Sequence, residues 1–288
     1  MAQAPLYPQS IAFNEKTLNA YTAMFQKAYT EIVKKINGAT NFGVANRKAI
    51  LSQIEKTLID LGDEVNGQLE IQIPKYYKNG ADEAVKQLNN VGADVSVSTG
   101  FNRVHTQAIQ ALTSDASRSI AESIQGVGRS ARQLLGKAVR DQITQQIGTG
   151  IISGDALKTV RQNIKGVLQD QGLSSLVDKG GHSWDLDTYA DMVFRTKAVE
   201  ARNRGLLNRM VENNYDLVQV SAHGATDACG EWEGKILSIT GETTELDGES
   251  VATIAEAEAA GLFHPNCRHA LNALIPSLAR QTMAYDSP

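Results

Sequence analysis

The chain has 288 residues, 42% of them hydrophobic, with a formal net charge of -4, only 6 prolines and 2 cysteines. That length supports one large core or two smaller ones, and the scarcity of proline leaves room for long uninterrupted helices. Two cysteines exclude a disulfide scaffold and point to a reducing compartment, while the mildly acidic balance excludes a surface that grips nucleic acid all over.

Met1 to Ser10 lacks the basic and apolar regions of a secretory signal, and no apolar run approaches the roughly 18 residues of a membrane span. A soluble protein made in a cytoplasm, without a membrane partner, is the expectation. After this arm a helical pattern starts near Asn14, a natural N-cap. Leu18, Tyr21, Phe25, Tyr29, Ile32 and Ile36 recur at three- and four-residue steps until Asn37-Gly38. A second helix starts near Val44, with Ile50, Ile54, Leu58 and Leu61 on one face, and continues past Gly62 toward Leu69. Pro74 marks a kink or a restart, and Tyr76 to Leu88 reads as a third helical piece.

Asn89 to Gly100 is small, polar and glycine-bearing, and reads as a loop. From Phe101 to about Gln146 the pattern is helical again, with Gly126 and Gly128 as a break. Turn signals follow at Gly148-Thr149-Gly150 and Ser153-Gly154, and Asp155 is placed to cap a helix running to about Asp170. After Lys179-Gly180-Gly181 the pattern changes. Trp184 and Leu186 lead into a helix from about Asp187 to Asn213, striped by Tyr189, Met192, Val199, Leu206 and Met210. Asp216 to Ser221 alternates as a half-buried strand does, Lys235 to Thr240 reads as a second strand, and Val251 to Ala260 as a short helix entered from an acidic loop. The fold class is therefore mainly α. A long helical N-terminal region, residues 1–179, precedes a small α+β C-terminal domain, residues 180–288.

One basic face stands out in the helical region. Arg129, Arg132, Lys137 and Arg140 occur with no acid among them until Arg140, and three of the four share a helix face. Such a face can meet packaged DNA or another acidic partner, or it can simply be solvated. The neighbouring glycines do not make a phosphate loop, because Ala131 and Ala138 stand where that loop needs Gly and Ser or Thr.

Soft ligands are concentrated near the C-terminus, where Phe263-His264-Pro265-Asn266-Cys267-Arg268-His269 holds two of the five histidines and one of the two cysteines. Zinc takes thiolate and neutral imidazole in tetrahedral geometry. Cys229, His264, Cys267 and His269 form a complete set for a structural zinc, with His223 as the alternative ligand. Against this stands a reading in which both cysteines pack in the core and the imidazoles make hydrogen bonds. Asn266 would hold the turn, and Trp232 and Gly234 would serve packing and a tight turn. An enzymatic reading draws on the same residues: Cys267 with His264 or His269 for a thiol hydrolase, or Asp227, His223 and the C-terminal imidazoles for a metal-dependent nuclease or peptidase. Neither has a complete signature, and no catalytic residue is assigned.

The ordered series Trp184, Tyr189, Met192, Arg195-Thr196, Asp216-Leu217-Val218-Gln219-Val220-Ser221-Ala222-His223, Cys229-x-x-Trp232-x-Gly234-Lys235 and His264-Pro265-Asn266-Cys267-Arg268-His269 resembles the phage minor capsid protein family, related to the Mu-like head morphogenesis proteins. The resemblance implies a non-enzymatic structural component of a tailed-phage head. It would sit in the virion at the portal vertex or capsid interior, in several copies, with the portal or major capsid protein as partner. Many members of that family carry a Cys-x-x-Cys pair before the tryptophan. Here Thr226 stands at the first of those positions.

Overall fold

The computed structural model describes residues 15–37, 44–90, 92–95, 101–147, 175–177, 183–264 and 267–275. Three long helices come first: α1 (Glu15–Asn37), α2 (Val44–Asn90) and α3 (Arg103–Ile147). A two-stranded antiparallel ribbon follows, β1 (Ser175–Val177) with β2 (Ser183–Asp185), then α4 (Leu186–Glu212). The remainder is β3 (Leu217–Val220), a 3-10 turn (Gly230–Trp232), β4 (Ile236–Ser238), β5 (Glu245–Leu246), β6 (Glu249–Ser250), β7 (Ala252–Thr253), α5 (Ile254–Ala259) and β8 (Leu271–Ala273). The chain is mainly α with a small α+β C-terminal part, as its periodicities predict. No helix among the described residues is long and apolar enough to cross a membrane.

Two helical boundaries differ from the sequence reading. The pieces on either side of Pro74 form one helix, and α3 runs uninterrupted through Gly126 and Gly128. A helical glycine costs about 1 kcal/mol relative to alanine; a Cβ on Gly62 of α2 would meet Ile124 Cδ1 of α3 at a tight 3.1 Å, whereas one on Gly128 would meet Leu58 Cδ1 at an ordinary 3.6 Å. The expected cap at Asn14, the turns near Gly148, the helix from Asp155, and Pro265 and Asn266 lie outside the described residues.

The chain divides into two compact units. One is Asn14–Leu69 with Asp115–Asp191; the other is Met1–Phe13, Glu70–Ser114 and Met192–Pro288. In the first, Phe25, Ala28 and Ile32 of α1, the row Ile50, Ile54, Leu58, Leu61, Val65 and Leu69 of α2, and Ala116 and Ile120 of α3 are buried. Each fully buried Leu or Ile side chain stabilises by roughly 1.5–3 kcal/mol.

The second unit is built on the four-stranded sheet β7-β4-β3-β8, antiparallel except for the parallel pair β4 and β7. One core joins Ala84, Val85 and Leu88 of α2 and Leu206, Leu207 and Met210 of α4 to Val218, Leu237 and Leu271 of the sheet. The two helices meet at glycines: a Cβ on Gly205 would lie 2.0 Å from the Tyr77 carbonyl oxygen, and one on Gly80 would lie 1.9 Å from that of Arg202. Only glycine permits that approach. Buried polar side chains then satisfy the backbone of edge strand β8. The Gln87 amide oxygen accepts from Ala273 N–H at 2.7 Å, Asn203 Oδ1 accepts from Leu271 N–H at 3.4 Å, and Arg202 donates to the Leu271 carbonyl at 3.5 Å. The strand edge is thus covered rather than left as a template for another chain.

A polar network joins these two helices to the start of α3. Asn208 donates to the Tyr77 hydroxyl at 2.7 Å, that hydroxyl sits 2.8 Å from His105 Nδ1, and His105 Nε2 lies 3.1 Å from Glu212. Asn102 caps α3, its Oδ1 accepting from Val104 and His105 N–H, and its amide donates to Glu212 at 2.9 Å.

Candidate functional site

Two loops of the α+β unit carry the residues that the sequence singles out. The first leaves β3 at Val220. Asp227 turns it, its Oδ1 accepting from Cys229 N–H at 3.0 Å and its carbonyl from Gly230 N–H at 2.9 Å, an Asx turn that opens the 3-10 turn. Gly230 has no room for a side chain, since a Cβ would lie 2.4 Å from the Ala225 carbonyl oxygen. Gly234, with φ of 74°, closes the loop by donating to the Val220 carbonyl. Trp232 packs against the core with Lys235 Nζ 4.6 Å above its ring, which gives it the packing role its sequence context suggests.

The second loop leaves α5. Thr253 and Glu256 form a capping box at the start of that helix. At its end, Gly261 donates to the Glu258 carbonyl and Leu262 to that of Ala257, a Schellman motif with Gly261 in the left-handed region. Phe263 also has positive φ, 63°, and the Cys267 N–H donates to the His264 carbonyl at 2.9 Å. These bends turn the chain back so that Cys267 and His269 reach the first loop.

There Cys229 Sγ lies 3.4 Å from Cys267 Sγ, and Cys267 Sγ lies 3.3 Å from His269 Nδ1. All three residues are buried, at 0%, 4% and 1% exposure. The other His269 nitrogen, Nε2, is 3.0 Å from Glu233 Oε1. Glu233 in turn accepts from the backbone N–H groups of His223, Gly224 and Ala225 at 2.9, 3.1 and 3.0 Å. Those donors, with His269, hold its carboxyl down at about 2. A carboxylate against Nε2 favours the tautomer that carries its proton on that nitrogen, with Nδ1 turned toward the sulfurs.

His264 and His223 occupy different places. His264 Nε2 pairs with Asp227 Oδ2 at 3.0 Å, and these two share a group with Cys229 whose ligand atoms all lie within 4.8 Å. His223 stacks on His269 with ring centroids 4.1 Å apart and faces Glu233 at 3.9 Å. Cys229, Cys267 and His269 form a tight triplet by the same distance measure, as do His223, Glu233 and His269. Glu233 is the member that motif reading passed over, hidden between the conspicuous Trp232 and Gly234. Its only sequence signal is an acid beside a turn.

Burial, with Cys229 alongside, pushes the Cys267 thiol up to about 12. A buried, protonated thiol is a poor nucleophile, which disfavours the thiol-hydrolase reading. Beside the pair, a cavity of about 300 Å³ is lined by Thr196, Glu200, Arg204, Phe263, His264 and Cys267.

The basic face looks different in the fold. Arg132 is ion-paired with Glu55 on α2, and Arg129 is exposed. The side chains of Lys137 and Arg140 lie outside the described ones.

Comparison with known proteins adds the family. A model described as "Phage minor capsid protein 2" matches residues 13–287, nearly the whole chain. The chain belongs to this phage minor capsid protein family. It is also 24% identical over 199 residues to a protein of Lactococcus phage LL-H named "Structural protein", a match that covers 66% of this chain and 52% of that relative. The chain thus spans about half the length of the curated relative it matches. No solved structure matches it.

Proposed function

We propose that the protein is a non-enzymatic component of the phage head, acting in head assembly at the portal vertex or the capsid interior, with the portal or major capsid protein as its partner. The observation that carries this reading is the family match from residue 13 to residue 287, which takes in both compact units. The long helices supply extended surfaces for assembly contacts, and the α+β unit is a module closed around the Cys229, Cys267 and His269 cluster. Several copies per particle fit such a role. Arg132 spends its charge on Glu55, so packaged DNA is the less favoured partner for that face.

Cross-linking mass spectrometry on assembling heads tests the placement. Cross-links from α1 to α3 to the portal or major capsid protein are expected. Cross-links confined to tail proteins would overturn it.

A further inference from the structure

We propose that the α+β unit binds one zinc ion through Cys229, Cys267 and Nδ1 of His269, with Glu233 as the carboxylate that orients the imidazole.

The distances carry the first three ligands. With Zn–S near 2.3 Å and Zn–N near 2.0–2.1 Å, tetrahedral geometry puts two sulfurs about 3.8 Å apart and sulfur and nitrogen about 3.5 Å apart. The protein holds Cys229 and Cys267 sulfurs at 3.4 Å and Cys267 Sγ and His269 Nδ1 at 3.3 Å, within a few tenths of an ångström of those edges. Two sulfurs and an imidazole nitrogen drawn this close together are the donor types that zinc takes.

The carboxylate supplies an independent argument. A zinc-bound imidazole generally gives its other nitrogen to a carboxylate or carbonyl, which fixes the tautomer and raises its basicity. His269 does so to Glu233 at 3.0 Å. Glu233 is itself anchored by three backbone donors, so the His269 ring is aimed before any metal arrives. His264 groups with Cys229 and Asp227 rather than with Cys267 and His269, so the ligands held close together are Cys229, Cys267 and His269. Binding expels the two thiol protons and replaces them with bonds to the cation, which leaves a neutral site in the core.

The ion would tie the loop after β3 to the loop after α5. Neither loop carries a Cys-x-x-Cys pair of its own, because Thr226 stands three residues before Cys229. The site is therefore assembled from loops that are distant in sequence, and it forms only when the sheet has formed.

The full chain, purified under reducing conditions, is assayed for metal by elemental analysis, and its stripped form is titrated with cobalt(II) alone. One zinc per chain is expected, together with the intense visible bands of four-coordinate cobalt and a thiolate charge-transfer band in the near ultraviolet. Glu233→Gln should weaken zinc binding about 10- to 100-fold in competition with a chromophoric chelator while the far-ultraviolet circular dichroism stays native. Because Cys229→Ser and Cys267→Ser can impair folding, the wild-type cobalt spectrum and the Glu233 variant decide independently of them. A folded wild-type chain with no zinc and no cobalt spectrum would overturn the site, as would recovery of Cys229 and Cys267 as a disulfide. Unchanged metal binding in the double serine variant would overturn it equally.

Discussion

Glu233 reaches across 36 residues to place its carboxylate 3.0 Å from Nε2 of His269, while three consecutive backbone N–H groups, those of His223, Gly224 and Ala225, converge on its two oxygens. One side chain therefore organises both the bend of the first loop and the orientation of the second. Acceptors of this kind are hard to replace, because each orphaned donor loses a partner at once.

Glu233→Ala should loosen a defined stretch. Hydrogen exchange at the amides of residues 223, 224 and 225 should accelerate strongly, while those of β3, which remain in the sheet ladder, keep their protection. Unchanged exchange at the three amides would mean that the carboxylate does not hold the loop.

The crossing of α2 and α4 separates two kinds of glycine. Gly205→Ala should destabilise the protein by at least about 1–3 kcal/mol, since the new methyl would meet the Tyr77 carbonyl oxygen at 2.0 Å and the helices must part. Gly67→Ala, with open space around its Cβ position inside the same long α2, should stabilise by about 0.5–1 kcal/mol. Chemical denaturation of the two variants checks both signs, and equal effects would refute the close approach.

Tyr77→Phe should cost about 1–3 kcal/mol by removing the hydroxyl between Asn208 and His105 Nδ1. The loss should be larger than for an exposed tyrosine of the same chain. A neutral result in urea denaturation would show that the network is not needed.

Asp216 gives the pH dependence. Burial raises its pKa, but hydrogen bonds from the hydroxyls of Ser238 and Thr240 and the backbone N–H groups of Thr240 and Thr243 outweigh it and hold the carboxyl well below its ordinary 3.8. A folded-state pKa below the unfolded one gives stability that is fully present above the unfolded value and lost as pH falls below it. Thermal melts of the wild type should therefore decline below about pH 4, and Asp216→Asn should flatten that limb while lowering stability at pH 7. An acid limb of unchanged slope in the variant would locate the titration elsewhere.

Much of this architecture is legible in the chain itself. The stripe Phe25, Ile32, Ile50, Ile54, Leu58 and Leu61 names the buried faces of α1 and α2, and the alternation at Leu217 to Val220 names β3. The single helix across Pro74 is not legible, because a proline's local cost does not say whether packing on both sides outweighs it. The ribbon of β1 and β2 and the edge strand β8 are three residues each, too short for a period to show. The acidic stretch from Glu242 to Glu249 conceals the hairpin of β5 and β6, turned at Asp247-Gly248 with both φ angles positive. At the site, cysteine and histidine are rare enough to be conspicuous. Their carboxylate partners Glu233 and Asp227 are common residue types whose meaning comes only from the fold. The packing of α2 residues Ala84, Val85 and Leu88 into the core of the sheet is equally invisible, since it joins segments far apart in sequence.

The central claim is that this minor capsid family member is a built-in part of the phage head. Quantitative mass spectrometry of purified virions and procapsids tests it most directly. The account predicts peptides of this chain in both, at a fixed ratio to the portal protein and well below the major capsid protein. Absence of the chain from both particles would contradict it.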